Sequence, residues 1–173
     1  MHIMIDLETM GTRPDAPIVS IGAVAFNGAG IANDFYRNVD LKTSVAGGGV
    51  IDPDTLMWWL RQDNPAREAL TDAAGIALTY ALHDLAMWFP NNLSGVWGNG
   101  ASFDNVILSE SFIREGVEQP WPFWKDKCYR TVKGMYPDVA LERSGTHHNA
   151  LDDARTQAEH LIAINAAAGG IIL

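Results

Sequence analysis

The sequence predicts an α/β fold, a mixed five-stranded sheet with helices on both faces. Three observations carry this. The chain opens with three strand-like stretches joined by short turns, which reads as a meander with antiparallel pairing. A stretch with apolar residues at helical spacing follows. Strand and helix then alternate to the end. At 173 residues, with 47% hydrophobic and 19% charged side chains, the chain is expected to fold as one domain over 1–173 with a sizeable core.

Residues 2–7 form the first predicted strand, a buried one, and Ile18–Phe26 the second. Asn27-Gly28-Ala29-Gly30 is rich in turn formers, so Ile31–Val39 should return as a hairpin partner. Thr43–Gly49 reads as a flexible connector; it lacks the Lys-Ser/Thr of a P-loop. Asp52-Pro53 supplies an N-cap and first-turn proline for a helix ending near Asn64-Pro65. A short helix from Pro65 to about Ala73 and another from about Ile76 to Trp88, stopped by Pro90, come next. The latter carries His83, which has no nearby ligand partner and reads as an ordinary helix histidine. Leu93–Trp97 is the fourth strand, followed by a helix from about Phe103 to Glu115. A stiff aromatic loop, Pro120–Trp124, leads to a fifth strand at Lys127–Thr131 and a short helix near Val132–Tyr136. The last helix runs from Asn149 to about Ala168, and the tail from Gly169 frays or packs on a neighbour.

Composition excludes several classes. No apolar run reaches the length of a membrane span, and the N-terminus enters a strand pattern at once, so neither membrane nor signal peptide is expected. Cys128 is the only cysteine, which rules out an internal disulfide or thiolate cluster and suits a reducing cytoplasm. The net charge of −9 argues against broad electrostatic binding to long duplexes. Distribution matters more than the total: Lys125, Lys127, Arg130, Lys133 and Arg143 fall within nineteen residues. Arg13, Arg130 and Lys133 are either phosphate contacts or solvated surface charge.

The chemistry begins at Ile3-Met4-Ile5-Asp6-Leu7-Glu8. On a strand, residues i and i+2 share a face, so Asp6 and Glu8 point the same way. Two close carboxylates repel, and a hard divalent cation such as Mg²⁺ or Mn²⁺ relieves that repulsion. A solvated strand end is the alternative. Asp104 opens a helix just after the fourth strand, where α/β proteins hold ligands and where a carboxylate also serves as a helix cap. Asp153 borders a stripe of small residues, Ala150, Ala154 and Ala158, and His148 lies five residues before it.

Taken in order, Asp-x-Glu at 6–8, Asn-Gly-x-x-Phe-Asp ending at Asp104, and His-x-x-x-x-Asp from His148 to Asp153 resemble the DEDDh 3′→5′ exonucleases of the ribonuclease H-like superfamily. The similarity spans residues 6–153 and leans toward small bacterial and phage proteins described as exoribonuclease-like. His147 and Asp152 have the same offset, but the family's Asp-Ala ending selects Asp153-Ala154 and hence His148. The resemblance implies metal ligation by Asp6, Glu8, Asp104 and Asp153, two Mg²⁺ or Mn²⁺ ions, and His148 as general base. It also implies contacts to the terminal nucleotide at Thr9 and Met10, with Met10 beside the last base. Asn99, Phe103 and the Trp58-Trp59 pair, Trp59 in particular, are further candidates.

The expected partner is single-stranded RNA or DNA with a free 3′ end, RNA favoured, and the expected products are nucleoside 5′-monophosphates. The expected setting is the cytoplasm of a bacterial cell or phage-infected host, with a homodimer as one option. The rivals are a catalytically idle nucleic-acid-binding module, a proofreading or repair component of a larger assembly, and a two-metal phosphatase of small nucleotides.

Overall fold

β1 (His2–Thr9) is the central strand of a five-stranded sheet. A computed structural model describes residues 1–62, 64, 67, 75–143 and 145–173. β1 pairs antiparallel with β2 (Ile18–Asn27), which pairs antiparallel with β3 (Gly30–Asn38). On its other side β1 pairs parallel with β4 (Gly95–Gly98), and β4 parallel with β5 (Asp126–Cys128). The order β3-β2-β1-β4-β5 is the expected mixed sheet.

The alternation of β1 divides the core in two. Ile3, Ile5 and Leu7 pack with α3 (Leu78–Trp88) and α4 (Asp104–Glu115). Met4 packs on the opposite face with α5 (Tyr129–Met135) and α6 (Ala150–Ala167). Two short helices named in chain order, α1 (Leu41–Ala46) and α2 (Pro53–Trp59), lie between β3 and α3.

Several local expectations change. Thr43–Ala46, the first part of the stretch read as a flexible connector, belongs to α1 because its small polar residues are committed. Asp40 caps it by accepting from Lys42 N, Thr43 Oγ1 accepts from Leu78 N, and buried Ser44 Oγ accepts from Ile18 N. α2 starts at Pro53 behind Asp52 as expected but ends at Trp59. There Arg61 N and Gln62 N turn to the carbonyls of Trp58 and Trp59, three residues back, tightening the last turn. The helix expected over 65–73 lies outside the described residues. β5 is shorter than expected because Tyr129 turns inward, fully buried, and starts α5. The tail packs on its own chain: Ile172 N and Leu173 N both donate to Asn165 Oδ1. Among the described residues no helix is long and apolar enough to cross a membrane.

Candidate active site

Asp6 and Glu8 share the α6 face of β1 with Met4, as their spacing requires. Across the ladder Asp6 pairs with Gly22, where a Cβ would overlap the Ala150 carbonyl. The missing side chain therefore lets the first turn of α6 rest directly on β2. Asn149 caps that turn, accepting from Leu151 N and Asp152 N, and Ala150, Ala154 and Ala158 are fully buried beneath it. Close packing brings Asp153 to the strand carboxylates: one oxygen each of Asp6, Glu8 and Asp153 lies within 4.8 Å of the others.

Asp104 arrives from the parallel side. Gly98 ends β4, and a Cβ there would strike Asn105 and Asp104, so α4 can begin against the strand end. Buried Asn105 fixes it by donating to Val96 O at 3.1 Å and Asp126 Oδ1 at 2.7 Å. Leu7 N then donates to Asp104 Oδ1 at 3.3 Å. Asp104 is not in the 4.8 Å grouping but acts on Asp6 and Glu8 through space.

Such a cluster resists ionisation. Burial, followed by the charges of Asp104, Glu8 and Asp153, holds the Asp6 carboxyl well above the usual carboxylate range. Burial, with Asp153 and Asp104, pushes Glu8 up to about 8. Burial raises Asp104 to about 7 against the pull of backbone N–H donors and Arg130. Asp104 Oδ2 is buried with no hydrogen-bond partner among the described residues. Convergent carboxylate oxygens, one of them orphaned, fit a hard divalent cation such as Mg²⁺ or Mn²⁺.

The other wall is the loop before α6. His148 has φ 63°, a left-handed backbone that a non-glycine residue adopts at a cost. Its N–H donates to Asp153 Oδ2 at 2.9 Å. Its ring meets Trp58 and Trp59 edge-on, with centroids 5.0 and 5.9 Å away, and lies 3.8 Å from that of His147. Ring nitrogens of both histidines come within 4.8 Å of an Asp153 oxygen and of each other. Asp152 faces elsewhere, accepting from Thr146 N, so Asp153 alone of the two faces Asp6 and Glu8. Arg143 donates to Asp153 Oδ1 at 2.9 Å.

A cleft of about 560 Å³ opens over these groups. Thr9, Asn99, Phe103, Trp58 and Trp59 line it, with the basic side chains Arg130, Lys133 and Arg143. Arg13 does not reach it and sits on the surface near Asp15. Met10, expected beside the last base, is not part of the lining either. It is buried with Val19 and Trp59, because β1 irregularly shifts register after Glu8 and sends it inward. The tryptophan pair divides into one core and one exposed ring, and the one singled out, Trp59, is the buried one. Trp59 is only 3% exposed and donates Nε1–H to Thr9 O at 3.0 Å, whereas Trp58 is 41% exposed. Two residues of the site escaped sequence reasoning. Gln157 follows Asp153 by one helical turn, a spacing that could have placed it in the cleft. Arg143 stood out only as part of a basic stretch; its partner could not be read from the sequence.

Residues 1–165 match the family model described as the 3′-5′ exoribonuclease Rv2179c-like domain. No curated protein matches. Among solved structures, the nuclease domain of 3′hExo, a DEDDh family member bound to rAMP, superposes with TM-score 0.63 at 17% identity, over 99% of this chain and 94% of that one. Exonuclease X in complex with 5′ overhanging duplex DNA gives 0.61 at 20% identity, over 98% and 93%. Pop2p of S. pombe, in its Mg²⁺- and Mn²⁺-bound form, gives 0.64 at 14% identity, over 98% and 84%. At these identities the structural likeness speaks for the ribonuclease H-like fold. The family match speaks for more: the chain belongs to the Rv2179c-like 3′-5′ exoribonuclease domain family and is a 3′-5′ exonuclease.

Proposed function

We propose that residues 1–173 act as one domain that removes nucleotides from the 3′ end of single-stranded nucleic acid, RNA in preference to DNA, releasing nucleoside 5′-monophosphates. The observation that carries this reading is the convergence of Asp6, Glu8 and Asp153 within 4.8 Å on the floor of a cleft, with Asp104 beside them. These four side chains would hold two Mg²⁺ or Mn²⁺ ions. When bound, the ions activate water and stabilise charge on the leaving 3′-oxygen.

The chain's own groups supply the rest. His148 takes the proton of the attacking water, a general-base role that imidazole commonly fills. Asp153 accepts from the His148 N–H, and a His148 ring nitrogen lies within 4.8 Å of an Asp153 oxygen. Thr9, Asn99 and Phe103 border the place for the terminal nucleotide, and Trp58 offers an exposed ring for a base. Preference for RNA is supported by the family description and by the rAMP bound to 3′hExo. The low charge density and single cysteine support a cytoplasmic setting.

Matched single-stranded RNA and DNA oligomers labelled at the 5′ end test the reading. A descending ladder that requires Mg²⁺ or Mn²⁺, stops with chelator and runs faster on RNA is the expected result. Internal cuts, or release of mononucleotides from the 5′ end, would contradict it.

A further inference from the structure

Gln157 lies one turn beyond Asp153 on α6, so both side chains leave the same helix face. It is 6% exposed and lines the cleft. Its Nε2 donates to Asp6 Oδ1 at 2.7 Å. Nε2 facing Asp6 is the orientation that suits this carboxylate in its cation-bound, ionised form, which only accepts. The same orientation turns Oε1 away from Asp6, and there it is buried without a hydrogen-bond partner among the described residues. A buried acceptor left unmatched is costly, and a methionine would fill the space without that cost. Where α6 only packs it uses apolar residues, at Ala154, Ala158 and Leu161. The amide is therefore placed for what its two ends do.

We infer that Gln157 is a positioning residue of the metal site: Nε2 orients the Asp6 carboxylate for its cations, and Oε1 accepts from a water ordered within the loaded site. This rests on reading the acidic cluster as a divalent-metal site. Gln157 brings Asp6 a donor without bringing charge, unlike Arg143 at Asp153. It restrains Asp6 while leaving the negative charge available to a cation. Partners of this kind outside the ligand set commonly change metal affinity by about 10–100-fold.

The test uses the full chain, Mn²⁺ alone and no nucleic acid. Calorimetry and the paramagnetic resonance signal of free Mn²⁺ give the affinity of the parent, of Gln157→Met and of Gln157→Glu. Gln157→Met keeps the volume and removes both polar ends; Gln157→Glu keeps the shape and an acceptor but sets an oxygen against Asp6. Both variants are expected to bind Mn²⁺ about 10–100-fold more weakly while unfolding cooperatively. With oligonucleotide, kcat should fall and KM stay at the parental value. Parental Mn²⁺ affinity in either folded variant overturns the inference, because space-filling alone would then explain the residue. If Gln157→Met does not fold, the isosteric Gln157→Glu decides alone. A parent chain that binds no Mn²⁺ sinks the metal-site reading itself, and the inference with it.

Discussion

Asp6, Glu8 and Asp104 stand on the central strand and at the head of α4, held by ladder pairing, by Leu7 N and by a buried asparagine. Asp153, His148, His147 and Arg143 stand on α6 and the loop before it, where a left-handed histidine and an exposed arginine share one carboxylate. The first half is charge built into a rigid sheet. Its cost is electrostatic, and it shows in carboxyls that resist ionisation. The second half is delivered by a loop whose cost is conformational. On the proposed reading, three of the four metal ligands and the proton acceptor come from different elements, and Asp153 is the one carboxylate common to both halves.

The largest effect should come from the strand half. Asp6→Asn is expected to lower kcat on the order of 10³-fold or more and to abolish Mn²⁺ binding. The metal-free variant should melt at a higher temperature than the parent, because one of the crowded buried carboxylates is gone. Scanning calorimetry with and without Mn²⁺ checks both parts. A lower melting temperature would mean that this half is not under electrostatic load.

His148→Ala should break the loop half alone. Turnover is expected to fall about 10²–10⁴-fold while Mn²⁺ affinity persists, as single-turnover kinetics and titration would show. Joint loss of both would erase the division.

The tryptophan pair sharpens the comparison at the rim. Trp59→Ala should cost ~3–5 kcal/mol of stability, measured by denaturant unfolding, since it empties a buried site. Trp58→Ala should leave stability nearly unchanged and raise KM for oligonucleotides by an amount worth about 1–3 kcal/mol.

Smaller effects follow from charge. Glu8 moves from an ordinary 4.5 to about 8, and Asp104 from 3.8 to about 7, on folding. Between these limits the folded metal-free protein binds more protons than the unfolded chain, so its stability is full below about pH 4 and is lost as pH rises toward 8. Melting temperature of the chelated protein should therefore fall across that window, and saturating Mn²⁺ should flatten the fall. Smallest of all, Arg143→Ala should tighten Mn²⁺ binding by about two- to fivefold. It frees an Asp153 oxygen from an ion pair whose arginine side chain is half exposed.

How much of this could be read from the chain differs between the two halves in the same way. The strand carboxylates were legible because period-two alternation fixes a face, and the sheet order followed from turns and alternating strand and helix. Asp104 and Asp153 could be placed only through the order of motifs; the glycines that admit them, Gly98 and Gly22, carry no local signal of a close approach. The inward turn of Met10 depends on a register shift after Glu8, which no periodicity announces. The loop half was least legible. The reach of Arg143 to Asp153 spans ten residues, and the left-handed His148 packs its ring on tryptophans from α2, far away in sequence. The α1 helix was missed for the opposite reason. Its short polar sequence, running into Gly47–Gly49, reads as a loop until Ser44 and Thr43 find partners on β2 and α3.

Anomalous diffraction from crystals soaked in Mn²⁺ tests the central claim most directly. The account predicts manganese peaks bounded by Asp6, Glu8, Asp104 and Asp153, with Arg143 displaced from Asp153. Manganese bound elsewhere, with these four carboxylates left unligated at saturating metal, would contradict it.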